Sequence, residues 1–140
     1  MGMIFQRDGE LFRWAANYGS SPEAEQYAAE HPIRLDRGTV TGRAALEARA
    51  IHIVDVMADP EYDHRRVFGV RTILGVPLLR EGTTIGVFVL SRNKVNPFTD
   101  KQIELITTFA DQAVIAIENR SLRSEMRRAP FGRQDHVPWH

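Results

Sequence analysis

Two apolar segments joined by a two-residue loop stand out in the pattern of hydrophobic and polar positions. They are Thr72–Arg80 and Thr83–Arg92, and the loop between them is Glu81-Gly82. A two-residue loop that ends in Gly suits the positive φ angles of a hairpin turn, which predicts that the segments are antiparallel neighbours. Residues 85–90 are apolar consecutively apart from Gly86, so the sheet is expected to be covered on both faces there.

Other segments add strands to the same sheet. Residues 3–7 and 10–18 flank Asp8-Gly9, a dipeptide that favours a type I′ hairpin turn, and residues 51–56 form another apolar run. Together these segments predict an α+β fold in which a central antiparallel β-sheet of five or six strands has helices on both faces.

The longest helix is predicted over residues 99–126. Thr99 is a suitable N-cap and Gln102 is its capping-box partner. Apolar residues then recur at helical spacing and are expected to face the sheet: Ile103, Ile106, Ala110, Ala113 and Ile117. A second stripe is left for a partner helix, which predicts a homodimer through helices: Ile115, Leu122 and Met126.

Shorter helices are predicted at residues 21–30, with Pro22 in the first position, and at 41–48, on the sheet face opposite the long helix. Residues 58–70 are polar and irregular, with room for one helical turn. From residue 127 the sequence loses periodicity and contains APFGRQDHVPWH, which predicts a disordered or non-native tail over 127–140.

The order of several short motifs resembles a GAF domain, most closely GAF segments of bacterial multidomain sensor histidine kinases and adenylate or guanylate cyclases. The motifs are GTVTGRA at 38–44, HIVDV at 52–56, DPEY at 59–62, GVPL at 75–78, IGVFVL at 85–90 and AVIAIEN at 113–119. On this resemblance residues 1–126 form the domain. The helix that usually precedes the first strand of a GAF domain has no counterpart ahead of Met3.

Composition narrows the possible functions. The 18 basic residues balance the 18 acidic ones, so no global field favours nucleic acid or an anionic membrane surface. No apolar run approaches the ~20 residues of a membrane span, and no signal peptide is recognisable, so a cytoplasmic domain without membrane contact is expected. The chain has no cysteine, which excludes thiolate catalysis and thioether attachment of a chromophore.

Candidate catalytic and cofactor sites are weak. His52 is a possible haem ligand by analogy with some GAF domains, but a histidine satisfied by hydrogen bonding at a strand edge explains it better. Residues 38–42, GTVTG, either present N–H groups to an anion or simply cap the following helix. Asn93, Lys94 and Phe98 match the start of a cyclic-nucleotide signature that Gln102-Ile103 does not continue. We expect no enzyme and no metal site, and the sequence identifies no cofactor.

The resemblance therefore implies a sensory or regulatory domain that binds an unidentified small molecule and relays the signal through its C-terminal helix to an output domain. The alternative is a dimerisation and relay module without a ligand. A pocket between the core strands and the irregular segment is predicted to be lined by Val54, Tyr62, Phe68, Thr72, Leu74 and Phe88, with Arg71 as the charged contact.

Overall fold

The computed structural model describes residues 1–66 and 69–128, apart from the side chains of His64 and residues 117–128, and centres on one six-stranded sheet. The strands are β1 (Gly2–Asp8), β2 (Leu11–Tyr18), β3 (Ile33–Arg34), β4 (Ile51–Ile53), β5 (Thr72–Arg80) and β6 (Thr83–Arg92). Their order across the sheet is β3-β2-β1-β6-β5-β4, and every neighbouring pair is antiparallel. The predicted α+β class is confirmed.

Both predicted hairpins form, but with different turns. Glu81 and Gly82 have φ angles of 50° and 82°, as a type I′ turn requires. In the first hairpin Asp8 pairs with Leu11, so the loop is Gly9–Glu10, one residue later than predicted. Gly9 alone has positive φ there, at 66°, which matches a type II′ turn and corrects the type I′ expectation.

Side-chain caps fix where the helices begin. The helices are α1 (Pro22–Glu30), α2 (Val40–Glu47) and α3 (Asp100–Arg128). The Ser21 hydroxyl caps α1 by accepting the Ala24 N–H at 3.2 Å. At α3, Gln102 N–H donates to the Thr99 hydroxyl at 3.1 Å, and Thr99 N–H donates to the Gln102 amide oxygen at 2.9 Å. The predicted capping box is therefore confirmed.

The sheet separates two apolar layers. Alternate residues of β5 and β6 point to opposite faces, so Ile73 and Val89 join α1 and α2 on one face, while Leu74 and Phe88 join α3 on the other. Ala110 and Val114 of α3 are buried against this second face. The predicted placement of the 41–48 and 99–126 helices on opposite faces is confirmed.

The segment between β4 and β5 is mostly irregular. The predicted 51–56 strand ends at Ile53, because the Asp55 carboxylate accepts the Met57 N–H at 3.0 Å and caps a 3₁₀ turn over Val56–Ala58. A second 3₁₀ turn covers His64–Arg66. Residues 127 and 128 continue α3 rather than starting a tail, and the tail predicted for 129–140 lies outside the described residues. Among the described helices, each is too short or too polar to cross a bilayer.

Candidate functional site

A cavity of about 330 Å³ lies on the sheet face that carries α1 and α2. The sheet contributes its floor, α1 and the N-terminus of α2 form its walls, and the end of the segment before β5 closes one side. The floor and the α1 wall are mainly apolar: Met3, Phe5, Ala28, Ile73 and Val89. Four polar side chains lie at the α2 and segment side of the same cavity: Thr39, Thr41, Tyr62 and Arg66. Other polar lining residues come from the rest of the wall: Ser20, Ser21, Tyr27, Ser91 and Asn93.

The N-terminus of α2 is brought against this cavity by two glycines. Gly75 lets Val40 approach β5, since a Cβ on Gly75 would lie 3.0 Å from a methyl group of Val40. Gly42 lets the helix lie directly on the backbone of Asp36, where a Cβ would collide with the carbonyl oxygen. The Thr39 hydroxyl accepts the Gly42 N–H at 3.0 Å. The GTVTG motif therefore caps α2, and the same geometry directs the first turn of α2 to the cavity.

Ionic and backbone contacts fix the irregular segment to α2. The Arg43 guanidinium forms two hydrogen bonds with the Asp59 carboxylate, at 2.7 and 2.8 Å, and donates a third to the Arg37 carbonyl at 2.7 Å. The hydrogen bonds from Arg43 lower the pKa of Asp59 to about 2. Nearby, Asp63 N–H donates to the Gly38 carbonyl at 2.7 Å. Tyr62 lies between these two attachments and is thereby held beside the α2 N-terminus.

The hydroxyls of two buried residues line the cavity without a protein partner. Thr41 is 1% exposed and Tyr62 is 7% exposed. Within the described part of the chain, neither hydroxyl makes a hydrogen bond, and both remain open to the cavity, because Trp14 Nε1 is the described side-chain atom that is both enclosed and unpaired. Burial raises the pKa of Tyr62 to about 12, so the phenol stays protonated and can donate a hydrogen bond.

Arg66 supplies the side-chain charge of the cavity wall. Its guanidinium donates to the carbonyls of His31 and Pro32 at 3.1 and 3.2 Å and lies 5.4 Å from the centre of the Tyr27 ring. The described lining includes no Asp or Glu side chain. The described cavity lining therefore combines an apolar floor with a wall of hydrogen-bond donors and one cationic side chain.

Of the predicted lining residues that the structure describes, Tyr62 alone lines this cavity. Leu74 and Phe88 pack against α3 on the opposite sheet face. Thr72 is buried, but its hydroxyl is used within the fold: it donates to the Val54 carbonyl at 2.6 Å and accepts the Asn96 N–H at 3.0 Å.

Two further predicted residues lie outside the cavity. Val54 is 44% exposed, because β4 has already ended before it. Arg71 pairs with Asp55 at 2.9 and 2.8 Å, and these hydrogen bonds raise the pKa of Arg71 and lower that of Asp55. Phe68 lies outside the described residues.

Ile73, Val89 and Thr41 are among the cavity residues that were not predicted from the sequence. Ile73 and Val89 are one residue away from Leu74 and Phe88, and a shift of one residue along a strand changes the sheet face. Gly75 was the available signal. A glycine inside a strand often marks a close backbone approach, and Gly75 shares its sheet face with Ile73 and contacts α2.

His52 has a structural partner. Its Nε2 atom accepts the Phe98 N–H at 3.1 Å, and the two rings meet edge to face at 5.6 Å between centres. Burial is the largest cause that lowers the pKa of His52, and the positive charge of Arg92 lowers it further. Within the described residues, no group of three His, Asp or Glu side chains is arranged to bind a metal ion.

Comparison with known proteins agrees with the fold. The GAF domain family matches residues 1–117. The GAF domain from a phosphoenolpyruvate-protein phosphotransferase of Coxiella burnetii superposes with a TM-score of 0.76 and 18% identity, covering 89% of this chain and 74% of that one. A methyl-accepting chemotaxis protein, residues 122 to 287, superposes with a TM-score of 0.70 and 25% identity, covering 86% of this chain and 79% of that one.

A type II free methionine-R-sulfoxide reductase from Thermoplasma acidophilum gives a TM-score of 0.71 and 17% identity, covering 84% of this chain and 78% of that one. No curated protein matches the chain. The similar structures at such low identities support the fold alone. The family match, however, spans 117 of 140 residues, and the chain therefore belongs to the GAF domain family.

Proposed function

We propose that this domain is a sensory and regulatory unit of a cytoplasmic bacterial signalling protein, and that it binds a small molecule in the cavity beside α2. GAF domains commonly serve as sensory or regulatory units in signalling proteins, and a chemotaxis protein is among the similar structures. The observation that carries the proposal is the cavity of about 330 Å³, with its apolar floor and convergent donor groups. Concave sites of this composition are typical of small-molecule binding.

The sheet offers a path from the cavity to α3. Ile73 and Val89 line the cavity, while their neighbours Leu74 and Phe88 pack on the helix. A ligand that displaces β5 or β6 by a fraction of an ångström also changes the surface on which α3 lies. We propose that α3 carries this change to an output domain such as a kinase or cyclase domain.

A regulatory role is favoured over catalysis by the chemistry of the chain. It has no cysteine that could serve as a nucleophile or redox group. In the described cavity lining, the polar side chains are hydroxyls, the Asn93 amide and Arg66, with no carboxylate or histidine to act as a base.

The test is direct detection of a bound molecule. The chain would be purified under mild conditions and weighed intact by native mass spectrometry, and a metabolite library would be screened by thermal shift. We expect a mass adduct or a stabilising compound. The variant Ala24→Phe, which fills the cavity from α1, should abolish both signals, whereas Ala29→Phe on the exposed side of α1 should preserve them. A compound that binds both variants and the parent chain equally would contradict the proposal.

A second candidate, the dimerisation and relay module, is favoured by the apolar surface of α3. Ile115, on the stripe predicted to contact a partner helix, is 60% exposed. Exposed apolar residues on one helix are typical of a contact with another helix. A homodimer through α3 is compatible with ligand sensing, so the two proposals differ only in whether the cavity is ever occupied.

A further inference from the structure

The two unpartnered hydroxyls and Arg66 form one donor cluster. Asp63 N–H reaches the Gly38 carbonyl, so the Tyr62–Asp63 backbone lies against the start of α2, where Thr41 is the second helical residue. Arg66 is close enough to Tyr62 to lower the pKa of its phenol against the larger effect of burial. All three side chains line the same cavity.

The cluster calls for a ligand group that accepts hydrogen bonds. The Gly42 N–H is taken by the Thr39 cap, which leaves the N–H groups of Val40 and Thr41 without a partner within the helix, and the helix dipole makes this end positive. A hydroxyl that opens to a cavity and has no protein partner can donate a hydrogen bond to an acceptor on a bound ligand. With Arg66 as the charged side chain and no carboxylate in the described lining, an anionic acceptor is favoured and an ammonium group is disfavoured.

The charge of the acceptor follows from the same lining. Among the side chains of the described lining, one guanidinium, already donating to two carbonyls, and neutral hydroxyls can balance a single negative charge spread over two oxygens. A phosphate dianion would bring a second charge into a cavity with an apolar floor and no second lysine or arginine in the described lining. The rest of the ligand meets the floor residues Met3, Phe5 and Val89, which favours an apolar body.

We propose that the cavity binds a small organic monocarboxylate with an apolar body, whose carboxylate accepts hydrogen bonds from Thr41 and Tyr62 beside Arg66. The inference rests on the proposed sensory function and names the ligand class for its site. It also assigns Thr41 and Tyr62 as specificity determinants.

The test compares ligands that share a body and differ in the polar group. Calorimetric titrations of the full chain would use 3-phenylpropionate, 4-methylpentanoate and octanoate, each beside its alcohol and amine, together with 3-phenylpropylphosphonate. We expect at least one acid to bind. Its alcohol should bind at least about tenfold more weakly, because a hydrogen bond to a charged group contributes about a factor of ten or more in affinity. Its amine should not bind, because an ammonium group would lie beside Arg66.

Variants connect this preference to the cluster. Tyr62→Phe and Thr41→Val should each weaken binding of the acid at least about tenfold, while the affinity for the alcohol should change much less. Thr41→Ser, which keeps the hydroxyl, should restore acid binding. Tyr18→Phe and Thr107→Val remove a hydroxyl from exposed positions and should leave binding unchanged. Thermal unfolding of each variant shows whether the fold is intact.

The outcomes separate the ligand class from the sensory function. If the alcohol, amine or phosphonate binds as tightly as the acid, or if Tyr62→Phe and Thr41→Val bind the acid normally, the monocarboxylate inference is overturned while the sensory function stands. If no acid binds but native mass spectrometry finds another class of molecule, the monocarboxylate inference is again overturned and the sensory function stands. If no probe binds and no molecule is carried through purification, both proposals fail.

Discussion

At the residue scale, the Arg43–Asp59 pair is the most constrained ionic contact on the cavity side of the molecule. Arg43 is buried, and its three hydrogen bonds fix the segment that carries Tyr62. Arg43→Met leaves Asp59 without its partner and should lower the free energy of unfolding by about 2–3 kcal/mol, less than for a fully buried pair because Asp59 retains contact with water. Urea denaturation measures the change.

The exposed pair Arg13–Asp8 is the matched control for this prediction. Its two side chains remain largely in water, so Arg13→Met should leave the urea midpoint nearly unchanged. Equal losses from the two substitutions would show that burial does not determine the strength of the Arg43–Asp59 contact.

The same pair predicts an acid limit of stability. The Asp59 pKa is lowered from 3.8 to about 2 in the fold, so the unfolded chain takes up the proton first as pH falls. The contribution of Asp59 is therefore complete above about pH 4 and is lost as pH falls through about 2. Unfolding free energies between pH 5 and 2 should decrease less steeply in Arg43→Met than in the parent chain. Parallel pH profiles would contradict this assignment.

His52 predicts a second pH effect, closer to neutrality. Its Nε2 atom must be unprotonated to accept the Phe98 N–H, and burial lowers its pKa in the fold. The unfolded chain binds the proton first, so the contribution is present above about pH 6.5 and decreases as pH falls. His52→Gln keeps an acceptor without a titrating group. The difference in unfolding free energy between pH 7.5 and 5.5 should be smaller in this variant, and an unchanged difference would contradict the prediction.

At the element scale, α2 depends on the absence of a side chain at Gly42. A Cβ there would strike the Asp36 carbonyl oxygen, so Gly42→Ala should displace α2 and cost about 3 kcal/mol. Gly82→Ala is the control: the site is open but φ is 82°, so strain of about 1 kcal/mol is expected. Denaturation followed by circular dichroism distinguishes the two, and similar losses would show that close packing at Gly42 is not limiting.

The elements themselves were largely predictable because local chemistry determines them. Thr99 and Gln102 fix the start of α3, and Glu81-Gly82 fixes the central hairpin. The errors occurred where a side chain competes with the backbone pattern. Asp55 caps a 3₁₀ turn and ends β4 early, although the apolar sequence continues to Val56.

At the scale of the whole molecule, the cavity was harder to predict than the fold. β5 and β6 are buried on both faces, so no polar residue indicates which sheet face carries the cavity. Tyr62 was identified because an irregular segment beside core strands is a usual source of binding residues. Thr41 was missed because its role depends on how α2 packs against the segment, which is a tertiary contact between residues far apart in sequence.

Two copies of the chain are predicted to associate through α3. Ile115 lies on the stripe that the sequence assigns to a partner helix, and it is 60% exposed on α3. The side chains of Leu122 and Met126, the other members, lie outside the described set. Burying a large apolar side chain between two copies contributes about 1.5–3 kcal/mol before the cost of association, so Ile115→Glu should weaken a dimer at least tenfold.

Leu105 provides a control, because its exposure is similar to that of Ile115 but it lies on a different side of α3. It is 65% exposed and lies about 80° around the helix from Ile115. Sedimentation velocity should show a dimer for the parent chain and for Leu105→Glu, and mostly monomer for Ile115→Glu. The opposite result would move the contact to the side of α3 where Phe109 meets Phe88 edge to face, at 5.3 Å between ring centres. If the parent chain itself remains monomeric at high micromolar concentration, the prediction of a dimer through α3 is wrong.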